Sequence, residues 1–267
     1  VIFLLLPVIE VVRLSLHRWD WFSEDWVGLA QYRRLALDPD FWRALLHTMV
    51  FAAVVVPVWI LATLAIASLI APRTERARGR WMTTFYLTYL VSPVVLAIVW
   101  SWMLAPGAGG LFNRALEWVG LGPVAWLTDP RWALASVILS TALTIPGSGV
   151  VIYGAAIAAL PRDLYEAAHL EGAGPLACWW RITVPLLRPT TLYLTVIYTI
   201  ASFQVFERVY IMTGTGGGPG GSTSVLVEQI YSRAFLDFDF GAASAQAVVL
   251  LALIAAVAWV QFRTLRS

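Results

Sequence analysis

Lysine is absent from the 267 residues: all 18 basic side chains are arginine. A phosphate-binding P-loop needs a lysine to reach the terminal phosphates. The glycine-rich run Gly214–Gly221 is therefore not a nucleotide site, and any ATP-driven cycle would need another chain. The arginine bias itself is read as base composition or heat adaptation. Charge of either sign is scarce. Only 13% of residues are charged and 60% are hydrophobic, whereas soluble domains carry about 25% charged residues. This excludes an ordinary soluble domain and points to an all-α, multi-pass membrane bundle. The net charge of +2 argues against a nucleic-acid partner. A single cysteine, Cys178, excludes an internal disulfide and any cysteine-based metal cluster, and no cofactor is expected.

Two rival function classes lose ground to the same scarcity. An intramembrane serine protease needs a Gly-x-Ser and a histidine on a neighbouring helix. Ser148 has Pro146 two positions earlier, and His17, His47 and His169 lie at span ends or in a polar loop. An ion-driven transporter or channel calls for paired carboxylates in the membrane, and here the deep acids reduce to Glu10, with Glu207 at an outer end. That transporter remains the alternative, distinguished by its energy source.

Apolar runs long enough for a hydrocarbon core of roughly 30 Å predict about six spans: Val1 to Leu16, Leu46–Ala71, Thr84–Leu104, Trp132–Leu160, Thr190–Met212 and Ala242–Val260. The first is short and does not open on Met, so a longer N-terminal segment is expected before it; no signal-peptide cleavage site follows it. Within it, Glu10 and Arg13 share a face and can pair. Pro57, Pro93 and Pro146 are expected to bend their spans. Tryptophans at span ends (Trp19, Trp21, Trp26, Trp42, Trp81, Trp118, Trp126, Trp132) suit an interfacial belt. Arginine in short loops sets the orientation. Arg73, Arg76, Arg78 and Arg80, then Arg162, Arg181 and Arg188, then Arg263 and Arg266 mark the cytoplasmic side, with both termini there. The loops 18–45, 105–131 and 213–241 face outward. In the first of these, Arg18, Arg33, Arg34 and Arg43 are offset by acids that include Asp20, and that loop is expected to pack as a small folded layer. The whole of 1–267 reads as one membrane domain, and Cys178 as a reduced cytoplasmic thiol.

The polar stretch 161–189 is the most telling. Asp163 and Glu166 form a D-x-x-E capping pattern for a helix of about two turns after Pro161. Gly172-Ala173-Gly174-Pro175 would stop it, a second short helix would run from Leu176 to about Thr183, and Pro185 and Pro189 would turn the chain back into the membrane. Glu166-Ala167-Ala168, then Gly172 after three residues, Ile182 after nine more, and Pro185 match the E-A-A signature, with Val184 where leucine is usual. On these residues the chain resembles the permease subunit of a type I ABC importer. The resemblance implies a coupling helix that docks on an ATPase. Ala167, Ala168 and Gly172 would allow close approach, and Glu166 either contacts the ATPase or caps the helix.

Further elements resemble the carbohydrate branch of that family, in its larger, maltose-type subunit. They are Trp26-Val27-Gly28-Leu29-Ala30-Gln31-Tyr32, Asp38 to Trp42 with His47-Thr48, Phe206 to Gly214, and Phe240-Gly241. The implied partners are a second permease, two cytoplasmic ATPase subunits, an extracytoplasmic solute-binding protein, membrane lipid and a sugar. The implied location is a bacterial or archaeal cytoplasmic membrane. The chain itself would be non-catalytic. Polar groups inside spans are the candidates for a substrate path: Tyr153, Tyr198, Ser202, Gln204, Glu207 and Gln246. With no lysine and few pore arginines, a neutral sugar is favoured over a phosphate. The run Gly214–Gly221 is expected to be a flexible outer loop.

Overall fold

The computed structural model describes residues 2–19 and 23–265. Asp20 and Trp21, expected in the first outer loop, and Arg266, expected at a cytoplasmic end, lie outside the described residues. Helix α1 (Ile2–Leu14) leads into a short antiparallel hairpin, β1 (His17–Trp19) and β2 (Glu24–Trp26), with Arg18 opposite Asp25. Then come α2 (Ala30–Leu37) and the long α3 (Pro39–Ile70), whose start is fixed by the Asp38 carboxylate accepting the Asp40 N–H at 2.9 Å. The chain continues through α4 (Glu75–Leu87), α5 (Pro93–Met103), α6 (Leu111–Trp118), α7 (Ala133–Leu143) and α8 (Gly147–Ala158). The polar stretch holds α9 (Arg162–Leu170), α10 (Pro175–Cys178), a π-helical turn at Trp179–Thr183 and α11 (Val184–Leu186). It is followed by α12 (Arg188–Phe203), α13 (Glu207–Thr213), α14 (Leu226–Phe235) and α15 (Phe240–Leu265).

Among the described residues, two helices are long and apolar enough to cross a membrane alone, Pro39–Ile70 and Phe240–Thr264. Two broken pairs, Glu75–Leu90 with Pro93–Met103 and Ala133–Leu143 with Gly147–Ala158, would each add one if the pair forms a single span. The windows 84–104 and 132–160 are therefore interrupted at Pro93 and Pro146, where bends were expected, by 87° and 41°. Proline explains both breaks. Pro93 opens α5 and Pro146 precedes α8, positions where the missing N–H is not needed and the ring blocks the helix before it. Of the three prolines expected to bend spans, Pro57 alone stays inside a continuous helix, as Pro7 does in α1. The window 190–212 is also broken: α12 ends at Phe203, and Phe206 leaves helical geometry at φ −142° before α13. Helix α1, at 13 residues, is shorter than a crossing helix.

The chain packs as two compact units. One comprises Val1–Val54, Pro93–Thr141 and Ile200–Val257, and the other Val55–Ser92, Ala142–Thr199 and Ala258–Ser267. In the first unit, Leu35, Phe41, Ala44, Ala52, Phe203, Leu226 and Leu250 form the core, and α13 packs on α5. Arg13 pairs with Glu10, as its spacing predicted, and also with Glu24 of the hairpin. Arg233 pairs with Asp38. Fully buried Asn113 ties the 105–131 segment together: its amide oxygen accepts the Val124 N–H and the Trp126 indole N–H, both at 2.9 Å. That bond makes Trp126, expected in an interfacial belt, a residue of a folded loop.

In the second unit, Val56, Leu64, Ala67, Val150, Tyr153, Leu187, Leu194 and Tyr198 form the core. Helix α8 lies close on α4. A Cβ at Gly147 would sit 1.8 Å from the Phe85 carbonyl oxygen, and one at Gly149 1.9 Å from the Tyr198 hydroxyl. Only glycine permits these approaches.

Candidate functional site

The stretch after α8 is built as a rigid loop. Pro161, at φ −61° and ψ 126°, precedes α9, and no side chain caps the helix. The expected Asp163–Glu166 capping box is therefore corrected. Asp163 already has helical geometry in the first turn, where its charge opposes the helix dipole, and Glu166 is exposed. The stop is as predicted. Gly172 takes φ +80°, its N–H donates to the His169 carbonyl at 3.0 Å, and the Ala173 N–H reaches the Ala168 carbonyl at 2.9 Å. These two bonds make a Schellman motif. Pro175 does not only end one helix; as first residue of α10 it begins the next. The second helix is not uniform, since its Trp179–Thr183 turn is π-helical.

Two side-chain bonds fasten this loop within its unit. The Trp179 indole N–H donates to Ser68 Oγ of α3 at 2.8 Å. The hydroxyls of Tyr165 and Thr183 lie 2.9 Å apart and link α9 to the π turn. Cys178 is buried beneath. Among the side chains the loop leaves outward are large apolar ones, Leu170 at 91% and Leu176 at 71% exposed with Leu164 and Trp180, beside the exposed charges of Arg162, Asp163, Glu166, Glu171 and Arg181. Ala167 and Gly172 are exposed too, Ala168, Ile182 and Pro185 half-buried.

The interior polar candidates separate. Tyr153 and Tyr198 belong to the second unit's core, and Tyr153 donates to Thr191 Oγ1 at 2.9 Å. Ser202, Gln204, Glu207 and Gln246 belong to the other unit. Gln246 is fully buried and donates to Gln229 Oε1 at 2.9 Å; its own Oε1 and Ser202 Oγ have no partner among the described residues. Gln204 and Glu207 are exposed. Arg208 is buried and donates to the Ser140 carbonyl at 2.8 Å.

The glycine-rich run is not a loose connector. Gly214, Gly216, Gly217, Gly218, Gly220 and Gly221 all take positive φ, and the loop is pinned by a residue that sequence reading missed. Glu228, 1% exposed, accepts the Gly216 N–H at 3.1 Å, the Ser232 hydroxyl at 3.0 Å and the Ser224 hydroxyl at 3.2 Å. The available signal was the four-residue spacing of Ser224, Glu228 and Ser232, the last two on one face of α14 and Ser224 just before its start.

A rigid loop edged with exposed leucines, set among apolar helices, is the geometry against which known proteins can be compared. The family described as "Binding-protein-dependent transport system inner membrane component" matches residues 39–265. This chain belongs to that family.

Relatives of the permease agree with this over its full length. The lactose transport system permease protein of Rhizobium radiobacter is 31% identical over 100% of this chain and 90% of its own. The sn-glycerol-3-phosphate transport system permease protein of Agrobacterium fabrum is 31% identical over 98% and 89%. In a solved bacterial ABC transporter that imports the acidic polysaccharide alginate, one chain superposes with a TM-score of 0.83 at 26% identity, covering 99% of this chain and 90% of that one. The expected all-α ABC permease fold is thus the observed one, and the chain is an inner-membrane permease component.

Proposed function

We propose that this permease forms half of the pathway by which an ATP-driven importer takes up a sugar delivered by a binding protein. Its relatives include proteins named for lactose and sn-glycerol-3-phosphate transport, which supports a carbohydrate-class substrate. A second permease completes the pathway, and two cytoplasmic ATPase subunits do the hydrolysis; this chain is non-catalytic. The single observation that carries the coupling role is the loop 161–189. Its Schellman-stopped helix is fastened by Trp179 and Tyr165 to its own unit, while Leu170 and Leu176 stay exposed. Ala167 and Gly172 keep the surface shallow there, and Glu166, free of a capping role, offers a polar contact to the ATPase. Ile182 and Pro185 shape the return into the membrane. ATP binding would move this loop as a body and open the pathway outward; hydrolysis would reset it.

The arginine-rich segments support cytoplasmic termini and an outward position for the 18–45, 105–131 and 213–241 loops. Ser202 and Gln246, each with a buried oxygen lacking a protein partner among the described residues, are substrate-path candidates together with Tyr153, Tyr198, Gln204 and Glu207. Because Arg208 is committed to the Ser140 backbone, a neutral sugar is favoured over a phosphate. The test is purification of the chain in mild detergent from its native membrane. Co-purification of an ATPase and a second permease, with sugar uptake lost on Gly172→Asp while insertion persists, is the expected result. Recovery of the chain alone, or undiminished uptake by that variant, overturns the reading in favour of an ion-driven transporter.

A further inference from the structure

A cleft of about 420 Å³ opens beside the loop 161–189, within the same unit. Arg78 of α4 lines it together with Arg162, Tyr165 and His169 of α9, and Leu160 and Trp179 supply apolar wall. No aspartate or glutamate lines it. Neither Arg78 nor Arg162 makes an ion pair among the described residues, although other arginines of the chain do. Half-buried Arg78 and exposed Arg162 bring two guanidiniums to one concavity that holds no carboxylate, which favours an anion there.

The surroundings narrow the anion. Arg73, Arg76 and Arg80 flank Arg78 in sequence, so positive charge is concentrated at the start of α4. One turn onward the same helix becomes apolar and remains uncovered: Trp81, Tyr86 and Leu87 are all exposed. A basic concavity that grades into exposed apolar helix matches a phosphate joined to acyl chains. Basic pockets between helices at the cytoplasmic face bind anionic headgroups in this way. We propose that this cleft binds the phosphate of an anionic phospholipid, with Arg78 and Arg162 as its main contacts and the acyl chains along α4. The proposal rests on the cytoplasmic placement of the loop given above.

The test uses the assembled complex, wild type against the Arg78→Gln/Arg162→Gln double variant, with phosphatidylglycerol per permease measured after delipidation. An arginine near an anionic surface is worth about 1 kcal/mol, so losing two predicts roughly 30-fold weaker retention. Phosphatidylcholine should not be retained by either protein. Arg78→Lys, which keeps the charge, should keep the lipid, and serves if the double variant fails to assemble; loss of the lipid from it overturns a site built on charge. Equal phosphatidylglycerol in wild type and the double variant overturns the proposal. So does displacement of the lipid by millimolar inorganic phosphate, which would make the ligand a soluble anion. Presence of the ATPase in the purified wild type is scored separately, so failure of the importer reading is not confused with failure of the lipid site.

Discussion

Gly172 stops α9 through backbone geometry alone. At φ +80° an L side chain is strained, yet no atom lies within 4 Å of where its Cβ would stand. Gly172→Ala should therefore weaken the Schellman stop by about 1 kcal/mol without any steric clash, and Gly172→Asn, which tolerates this geometry, by less. Uptake and ATPase stimulation should fall in the order glycine, asparagine, alanine; an asparagine variant worse than alanine contradicts a backbone cause. Glu228 is the opposite case, a buried carboxylate whose worth is entirely its three donors. Glu228→Ala strands the Gly216 N–H and the hydroxyls of Ser224 and Ser232. A cost of about 1–3 kcal/mol is expected for each donor left without solvent. The thermal midpoint in detergent should fall clearly, and no shift would mean that water already serves the loop. The glycine run itself was legible, but its rigidity was not, because composition does not reveal which distant carboxylate holds a loop.

At the scale of elements, the packing of α8 makes a graded prediction. Alanine at Gly147 meets the Phe85 backbone carbonyl at 1.8 Å, whereas alanine at Gly149 meets the tip of the Tyr198 side chain at 1.9 Å. Backbone cannot step aside, so Gly147→Ala should lower stability and expression more than Gly149→Ala, each by about 1–3 kcal/mol or more. Replacing Tyr198 by phenylalanine should partly rescue Gly149→Ala, since the ring carbon and the Thr63 methyl still lie 3.1 and 3.0 Å from the new Cβ, and leave Gly147→Ala unaffected; thermal melts of the four variants decide it. The loop's attachment to α3 is a second element-level feature. Trp179→Phe removes one N–H donor to Ser68, worth about 1 kcal/mol. The expected signature is a lower ratio of sugar imported to ATP hydrolysed, with the melting point lowered by only about 2–4 °C. Both short helices of this loop were legible from Pro161, Gly172 and Pro175. The absent capping box and the π turn were not, since each depends on where neighbouring backbone lies. The two interrupted spans at Pro93 and Pro146 show the same limit: proline marks a position, and packing decides whether it bends a helix or begins one.

For the whole molecule, sidedness is the quantity still to be measured. Leu170 and Trp118 are 91% and 85% exposed, and a cysteine introduced at either should be reachable when the permease is produced without its ATPase. In intact cells an impermeant maleimide should label Trp118→Cys and spare Leu170→Cys until the membrane is opened; the reverse pattern inverts the orientation. The native Cys178 is buried and should react slowly in both states. Membrane residence, helical class and the coupling signature were determined by the sequence itself. Hydropathy is a sum over residues and the E-A-A pattern is local, so neither needs tertiary contacts to be read. The partition into two packed units, the burial of Glu228 and Arg208, and the cleft that gathers Arg78 with Arg162 were decided only by the tertiary structure. Those features join residues far apart in the chain, and which buried polar groups find partners depends on the fold that brings them together.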